Sequence, residues 1–296
     1  MPSPANADSM KTRDPAQLPH LIRLLDDASP AIRGRVLEGL KRYGMELDDE
    51  LQRQRLVLTP EQRVLVRSLL GDTWAAGFLR AWVECFTHGD DASQVESAHA
   101  LLADYQLGED YPVKLSRALD SLAGEFKRSG STLDALGLNR FLFISKRLRG
   151  ADDDYYNPLN SNLLHVMQTA QGIPISLVSL FILVGKRVGL EIQGCNFPNH
   201  FLARATVAGV EHLFDPFSGG RVLTPEDLGA FLQVAPRGLS SVLRTPATAP
   251  VLMGRVLRNL IVAYRRAEQA EHAEFLRRVL NETQSFQRRT GGAQSG

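Results

Sequence analysis

The chain has 296 residues, 44% of them hydrophobic and 23% charged, with a formal net charge of +1. This composition is typical of a globular protein with one substantial core, and the near-zero charge gives no reason to expect nucleic acid or an anionic membrane as partner. Its two cysteines, Cys85 and Cys195, are too few for a disulfide framework. The first twenty residues lack the apolar stretch of a secretory signal, so we expect a cytoplasmic location.

The N-terminal part of the chain predicts a tail followed by a helical hairpin. Residues 1–15 are polar and proline-containing, which predicts disorder. In residues 16–58, apolar residues recur at helical spacing, with Ser29 as the N-cap of a second helix and Gly44 just past its end. The stretch LLDDASPAIRGRVLEGLKRYG resembles a single HEAT-type hairpin. One such unit cannot bury its own apolar face, so we expect it to dock on the rest of the chain or on a partner.

Residues 59–150 predict a longer helical region. Thr59 and Pro60 have the residue types that open a helix, and the aromatic stripe that follows predicts a core face. Amphipathic spacing predicts further helices at residues 95–102, 113–126 and 133–148. A polar, turn-rich segment then ends this region.

The almost uncharged segment at residues 172–189 carries the start and stop signals of one helix. Pro174 stands in the first turn, Lys186 and Arg187 lie near the negative end of the helix dipole, and Gly189 follows the end. Because its apolar residues fall on all sides, we predict a central helix surrounded by the rest of the protein. Just before it, Asn160, Ser161 and Asn162 are N-cap candidates for a short helix at 163–169.

The hydrophobic period changes after this helix. Apolar runs at residues 190–197, 201–207 and 210–214 have the length of strands, and Ala208-Gly209 predicts a tight hairpin turn. We therefore predict an α+β fold with three parts: an N-terminal helical region, a core at residues 151–240 with one buried helix against an antiparallel sheet, and a C-terminal helical hairpin at residues 250–286.

Several segments of the core resemble a known family. LNRFLF, YYNPLNSNLL, GIPISL, NFPNHFLAR and DPFSGG look like the transglutaminase-like core of the SirB1 family of bacterial proteins, a branch of the transglutaminase-like superfamily. The segment RVLRNLIVAYRRAEQAEHAEFLRRVL is similar to the tetratricopeptide-like helical repeat region that follows the core in that family, here cut to one helical pair.

The resemblance implies a papain-like site. In the wider superfamily, a cysteine at the N-terminus of a buried helix acts with a histidine on one strand and an aspartate on the next. The helix N-terminus lowers the pKa of the thiol, the histidine takes its proton, and the carboxylate fixes the imidazole tautomer. In this sequence His200 matches the histidine and Asp215 matches the aspartate. A histidine that is hydrogen-bonded to Asp215 and only joins the two strands is the structural alternative for His200.

The match fails at the nucleophile. Aligning the Gly-x-Cys motif of the superfamily on Gly172 puts Pro174 at that position, and a shift of two residues puts Ser176 there. Ser176 is one candidate nucleophile, because Ser-His-Asp triads occur elsewhere, and a packed or capping hydroxyl is the alternative. Cys195 is the other candidate; its odd spacing from His200 argues against a dyad on a continuous strand and favours a small buried residue.

The remaining polar residues give weaker signals. We expect His165 and His212 to face solvent, and the arginines of the C-terminal helices to form a solvated face balanced by glutamates. The spacing of histidines and carboxylates predicts neither a metal site nor a cofactor.

Two functions follow from these observations. The first is a pseudoenzyme, a transglutaminase-like protein without the catalytic cysteine that acts as a non-catalytic interaction or regulatory module for another protein. The second is a hydrolase or acyltransferase that attacks an amide or ester through Ser176 or Cys195 with His200 and Asp215. Hydrogen-bond reach between nucleophile and histidine in an open cleft would favour the second.

Overall fold

The computed structural model describes residues 14–43, 47–108, 111, 113–197, 201–224, 226–227 and 247–291. The chain divides into two compact units, Met1–Arg80 and Ala81–Gly296. Gly44, the predicted C-terminal stop of the second helix, lies outside the described residues.

The first unit is helical. Its core contains buried aliphatic side chains at Leu18, Leu25 and Leu40. At the start of α2 the predicted N-cap Ser29 makes no side-chain cap bond; instead Arg33 donates to the carbonyl of Ala28 at 3.1 Å. The helices are α1 (Leu18–Arg23), α2 (Pro30–Lys41), α3 (Leu47–Arg53) and the beginning of α4 (Pro60–Glu84).

Thr59 and Gln62 form a capping box at the start of α4. The backbone N–H of Thr59 donates to Gln62 Oε1 at 3.0 Å, and the backbone N–H of Gln62 donates to Thr59 Oγ1 at 3.2 Å. Two otherwise unpaired donors are satisfied in this way, which confirms the predicted helix start.

The second unit combines seven complete described helices with a small sheet. A π-helical stretch, Arg140–Ser145, continues α7 and replaces the C-terminal half of the long helix expected at 133–148. The helices are α5 (Asp91–Leu107), α6 (Leu115–Arg128), α7 (Ala135–Asn139), α8 (Leu163–Thr169), α9 (Pro174–Arg187), α10 (Ala249–Arg266) and α11 (Ala270–Gly291).

Helix α9 is the centre of this unit. The eleven residues from Ile175 to Gly185 are all buried. Helices α5, α6, α7, α8 and α10 and strands of the sheet all contact it. The prediction of a central helix apolar on every side is confirmed.

The C-terminal end of α9 is fixed by an ion-pair cluster. Arg187 binds both carboxylate oxygens of Glu96 on α5, at 2.7 and 2.8 Å, and donates from Nε to Asp120 on α6 at 2.7 Å. Arg187 and Glu96 are mostly buried, with side-chain exposures of 15% and 22%. Two-pronged arginine–carboxylate pairs have a fixed geometry, so the cluster sets the position of α9 between α5 and α6.

The larger sheet is an antiparallel meander in the order β3-β4-β5-β6. Ala208 and Gly209 join β4 to β5 with φ values of 49° and 80°. Two successive positive φ values make the mirror-image turn that matches strand twist, which confirms the predicted hairpin. A short parallel pair, β1 with β2, lies beside it. The strands are β1 (Arg149–Gly150), β2 (Gln171–Gly172), β3 (Gln193–Cys195), β4 (Leu202–Val207), β5 (Val210–Asp215) and β6 (Arg221–Val222).

The α+β fold class is confirmed, with two local differences. The run at 190–197 yields only the three-residue strand β3, and the sheet continues past Asp215 into β6, which pairs with β5. Two-residue strands carry almost no periodicity, so the sequence pattern could not reveal β6. No described helix has the length and apolar character needed to cross a membrane.

The C-terminal helices α10 and α11 pack together, and α11 contacts residues at the C-terminal end of α4. Trp82 Nε1 donates to Thr283 Oγ1 at 2.9 Å, and both side chains are buried. The rings of Phe86 and Phe286 lie 6.0 Å apart. The last pair of helices is therefore part of the core of the second unit.

We predict that Gly220→Ala destabilises the protein far more than Gly219→Ala. Both glycines have positive φ, 78° and 68°, a strain of about 1 kcal/mol for alanine. Only at Gly220 would a Cβ also meet other atoms, at 2.7 Å from Phe143 Cβ and 2.8 Å from Asn139 Oδ1. Urea unfolding should give a loss of about 3 kcal/mol or more for Gly220→Ala against about 1 for Gly219→Ala. Equal losses would contradict the close packing.

Candidate functional site

The position of the expected nucleophile is the first turn of α9. Ile173 occupies the N-cap without a side-chain cap bond, and Pro174 is the first helical residue. Gly172 approaches α8 closely, since a Cβ there would lie 2.9 Å from Val166 Cγ1. Gly172 and Ile173 are buried, whereas Pro174, at one of the two positions that align with the expected thiol, is half-buried.

Ser176 lies in the same turn and is completely buried. Its backbone N–H donates to the carbonyl of Ile173 at 3.0 Å. Within the described residues its Oγ has no hydrogen-bond partner. The hydroxyl accepts from no described backbone N–H group, so Ser176 is a buried, packed side chain and not a helix cap.

A second buried serine on α9 has a histidine partner. His99 Nε2 on α5 lies 3.1 Å from Ser179 Oγ, and Ser179 Oγ donates to the carbonyl of Ile175 at 2.8 Å. Because the hydroxyl hydrogen is used, the ring must donate from Nε2, which assigns the tautomer and leaves Nδ1 unprotonated. Burial lowers the pKa of His99 to about 3, so the ring is neutral at pH 7.

Cys195, the other candidate nucleophile, lies on β3 opposite Leu202 of β4. Its side chain has no exposed surface. Burial raises the pKa of the Cys195 thiol to about 11, only partly offset by the nearby charge of Arg204. An inert, neutral thiol is the expected state of such a residue.

Asp215 ends β5 and is only 4% exposed. Its Oδ1 accepts hydrogen bonds from the backbone N–H groups of Phe217 at 3.1 Å and Ser218 at 3.2 Å. Its Oδ2 accepts from Ser218 Oγ at 2.8 Å. Both oxygens of the carboxylate therefore hold the turn that follows the strand.

His200 lies outside the described residues, together with Pro198 and Asn199. On either side of them, Arg255 of α10 holds the chain. Arg255 Nη1 donates to Asn196 Oδ1 at 2.6 Å and to the carbonyl of Phe197 at 2.9 Å, and its guanidinium lies 5.5 Å from the centre of the Phe201 ring. The prediction of a solvated basic face is wrong for Arg255, because the apolar stem and planar head of arginine serve this buried contact.

The other histidines also differ from expectation. His165 and His212 are half-buried and do not face solvent freely. Burial lowers the pKa of His165. His99 was not among the predicted site residues, although Val95 and Leu102 lie on the same helical face, a pattern that indicates a histidine turned toward the core. Among the described residues no group of three His, Cys, Asp or Glu side chains could hold a metal ion.

The class of protein follows from the buried helix, the sheet after it and the sequence. Residues 113–258 match the profile of the transglutaminase-like superfamily. A UPF0162 protein of Xylella fastidiosa strain Temecula1 is 32% identical over 211 residues, covering 66% of this chain and 73% of the relative. The chain belongs to the UPF0162 family.

Two further relatives match a smaller part of this chain. A UPF0162 protein of Pseudomonas aeruginosa is 32% identical over 158 residues, 50% of this chain and 57% of its own length. F-box only protein 21 of Mus musculus is 32% identical over 115 residues, 36% of this chain and 18% of its own length. No solved structure matches the chain.

We predict that His99 makes the protein sensitive to acid. Its pKa of about 3 in the fold lies below the usual 6.5, so below pH 6.5 the unfolded chain binds a proton that the folded state excludes. Stability should therefore fall between pH 6.5 and 3, by up to about 1.4 kcal/mol per pH unit.

His99→Gln should remove this part of the pH dependence, because an amide can still donate to Ser179 without titrating. Urea unfolding between pH 7 and 4 measures the difference, and the same change at the exposed His88 controls for the loss of one imidazole. If the unfolding free energies of wild type and His99→Gln changed with pH in parallel, the neutral buried ring would be contradicted.

We predict that Asp215→Asn lowers the unfolding free energy by about 1–3 kcal/mol, because an amide oxygen accepts more weakly than a carboxylate and its NH₂ group cannot accept from Ser218. Ser218→Ala removes only the hydroxyl donor and should cost about 1 kcal/mol. Thermal unfolding compares the two variants. An Asp215→Asn protein as stable as wild type would show that the turn does not depend on the carboxylate.

Proposed function

We propose that this chain is a pseudoenzyme: a transglutaminase-like domain without a working nucleophile that serves as a non-catalytic protein-interaction or regulatory module. The observation that carries the proposal is the burial of both candidate nucleophiles. Ser176 and Cys195 each have no exposed surface, so a substrate carbonyl could reach neither without rearrangement of the core. A nucleophile must approach within about 3 Å of its base and its substrate.

The electrostatics of the two candidates support the same function. With a thiol pKa of about 11, Cys195 at pH 7 is thiolate in only about one molecule in ten thousand. The helix N-terminus that would lower a thiol pKa holds Pro174, which has no nucleophilic atom. Among the described residues, which do not include the candidate base His200, Ser176 Oγ has no hydrogen-bond partner. A serine without a base is a poor nucleophile at neutral pH.

The hydrogen bonds that Asp215 accepts also support the proposed pseudoenzyme. In a triad the carboxylate must accept from the imidazole of the histidine. Here its oxygens accept from Phe217, Ser218 N–H and Ser218 Oγ. These hydrogen bonds account for a buried carboxylate by the geometry of its turn, so its burial does not by itself require a catalytic role.

The extent of the matches to relatives is consistent with an interaction module. A segment similar to 36% of this chain makes up 18% of F-box only protein 21, so a related segment forms a small part of that protein. Within the superfamily, the motifs GIPISL and NFPNHFLAR support an assignment to the SirB1 branch. The partner in this proposal is another protein, and no cofactor is required.

The test is to treat the native protein with a fluorophosphonate probe for serine and an iodoacetamide probe for cysteine, followed by intact mass and peptide mapping. We expect no adduct on Ser176 and alkylation of Cys195 at least about 100-fold slower than in urea, as the raised thiol pKa and the burial require. Ser176→Ala and Cys195→Ala identify the modified residues.

His200→Ala is the decisive control. Labelling of Ser176 or Cys195 in the native wild type that disappears in His200→Ala would mean that a histidine activates the nucleophile, and the proposal would then be wrong. The hydrolase or acyltransferase function would take its place. Equal slow labelling in both proteins supports the non-catalytic module.

A further inference from the structure

A groove on the second unit lies between α6, α8 and the segment after the π-helical stretch. It has a volume of about 360 Å³, at the lower end of the range for sites that hold a ligand. Leu122, Leu148 and Met167 form its apolar lining. The groove is therefore large enough for one or two side chains of a partner.

Two cations and one carboxylate lie at this groove. Lys146 pairs with Glu125. Arg117 is exposed and makes no ion pair in the part of the chain that the structure describes. One positive charge at the rim thus remains available to a ligand, beside an apolar floor.

The segment that supplies all but one of the lining residues is more basic than the whole chain. Residues 113–149 contain eight Lys and Arg against three Asp and Glu, although the entire chain has a net charge of only +1. Asp120 is already bound by Arg187, and Asp134 accepts from the backbone N–H of Gly137 at 2.7 Å. Ile144, two residues before Lys146, is 64% exposed. The lining of the groove itself carries Arg117 and Lys146 against Glu125, which leaves one net positive charge, and a ligand of complementary charge is acidic.

The chain itself offers no matching segment in its longest stretch outside the described residues. Residues 228–246 contain Arg237 and Arg244 and no carboxylate. Their positive charge would repel the rim of the groove. Charge complementarity therefore favours a second molecule.

We propose that this groove binds a short peptide segment of a partner protein in which an aliphatic side chain lies next to one or more carboxylates. The aliphatic side chain enters between Leu122, Leu148 and Met167, and the carboxylate pairs with Arg117. The segment binds as a helix or turn that presents neighbouring anchors to a groove. This inference rests on the proposed interaction function and specifies the chemistry of its partner.

The experiment is a selection of random twelve-residue peptides displayed on phage against immobilised full-length protein, run in parallel on wild type and on Ala118→Trp. Ala118 lines the groove and is only partly buried, so tryptophan there fills the cavity. We expect peptides enriched on wild type alone to contain Asp or Glu within four positions of Leu, Ile or Val. Thermal unfolding checks that Ala118→Trp remains folded.

Fluorescence anisotropy of the best enriched peptide then measures the role of charge. Arg117→Glu should weaken binding at least about tenfold, or about 1.4 kcal/mol, while Arg265→Glu, the same change at an exposed site on α10, should leave binding unchanged. Affinity should fall as NaCl increases from 50 to about 300 mM, because exposed charges are screened.

The outcomes separate the two proposals. Enrichment without acidic residues, or binding that survives both Ala118→Trp and Arg117→Glu, would overturn the groove proposal. If Ala118→Trp instead exposes residues 228–246 to protease, a segment of this chain is the occupant and the proposal of a second molecule is wrong. None of these results changes the labelling of Ser176 or Cys195, which alone tests the absence of catalysis.

Discussion

The complete burial of α9 is the constraint on which the rest of the second unit depends. A helix that is apolar on every side is stable only when other elements cover all of its faces, and here five helices and the sheet do so. Few polar contacts then fix its position: Arg187 with Glu96 and Asp120 at one end, and Ser179 with His99 in the middle. The pairs of Arg187 with Glu96 and of Ser179 with His99 are mostly buried, so each has a defined geometry and a high cost of removal.

The same burial determines what the N-terminus of α9 can do. In a papain-like enzyme this helix end lowers the pKa of a thiol that faces a cleft. Here Pro174 begins the helix and Ser176 is enclosed by the core. The proposed partner surface depends on the same arrangement, since the covered face of α6 packs on α9 while its other edge carries Arg117 at the groove. Protein binding would then use an outer surface that the buried helix holds in place.

Much of the fold could be predicted because its signals are local. Pro174, Lys186 and Arg187 mark the ends of α9, Asn162 accepts from Leu164 N–H at 3.0 Å as the cap of α8, and the Ala208-Gly209 turn has the expected positive φ values. The candidate site was less predictable. Arg255 has the sequence context of a solvated helix face, yet it reaches residues 59 positions away in the chain. Such contacts depend on where α10 packs in the tertiary structure, which no local pattern contains.

The sequence by itself determined the α+β class, the central helix, the hairpin and the lack of a cysteine at the start of that helix, because periodicity, capping residues and residue identity are properties of short segments. Only the tertiary structure decided the environments of Ser176, Cys195, His99 and Asp215. Exposure, pKa and hydrogen bonding depend on what surrounds a side chain, and here those surroundings come from distant elements. For that reason the residue types alone could not show that the serine hydroxyl and the thiol are buried, that the thiol pKa is raised, or that the carboxylate accepts from the turn after its strand.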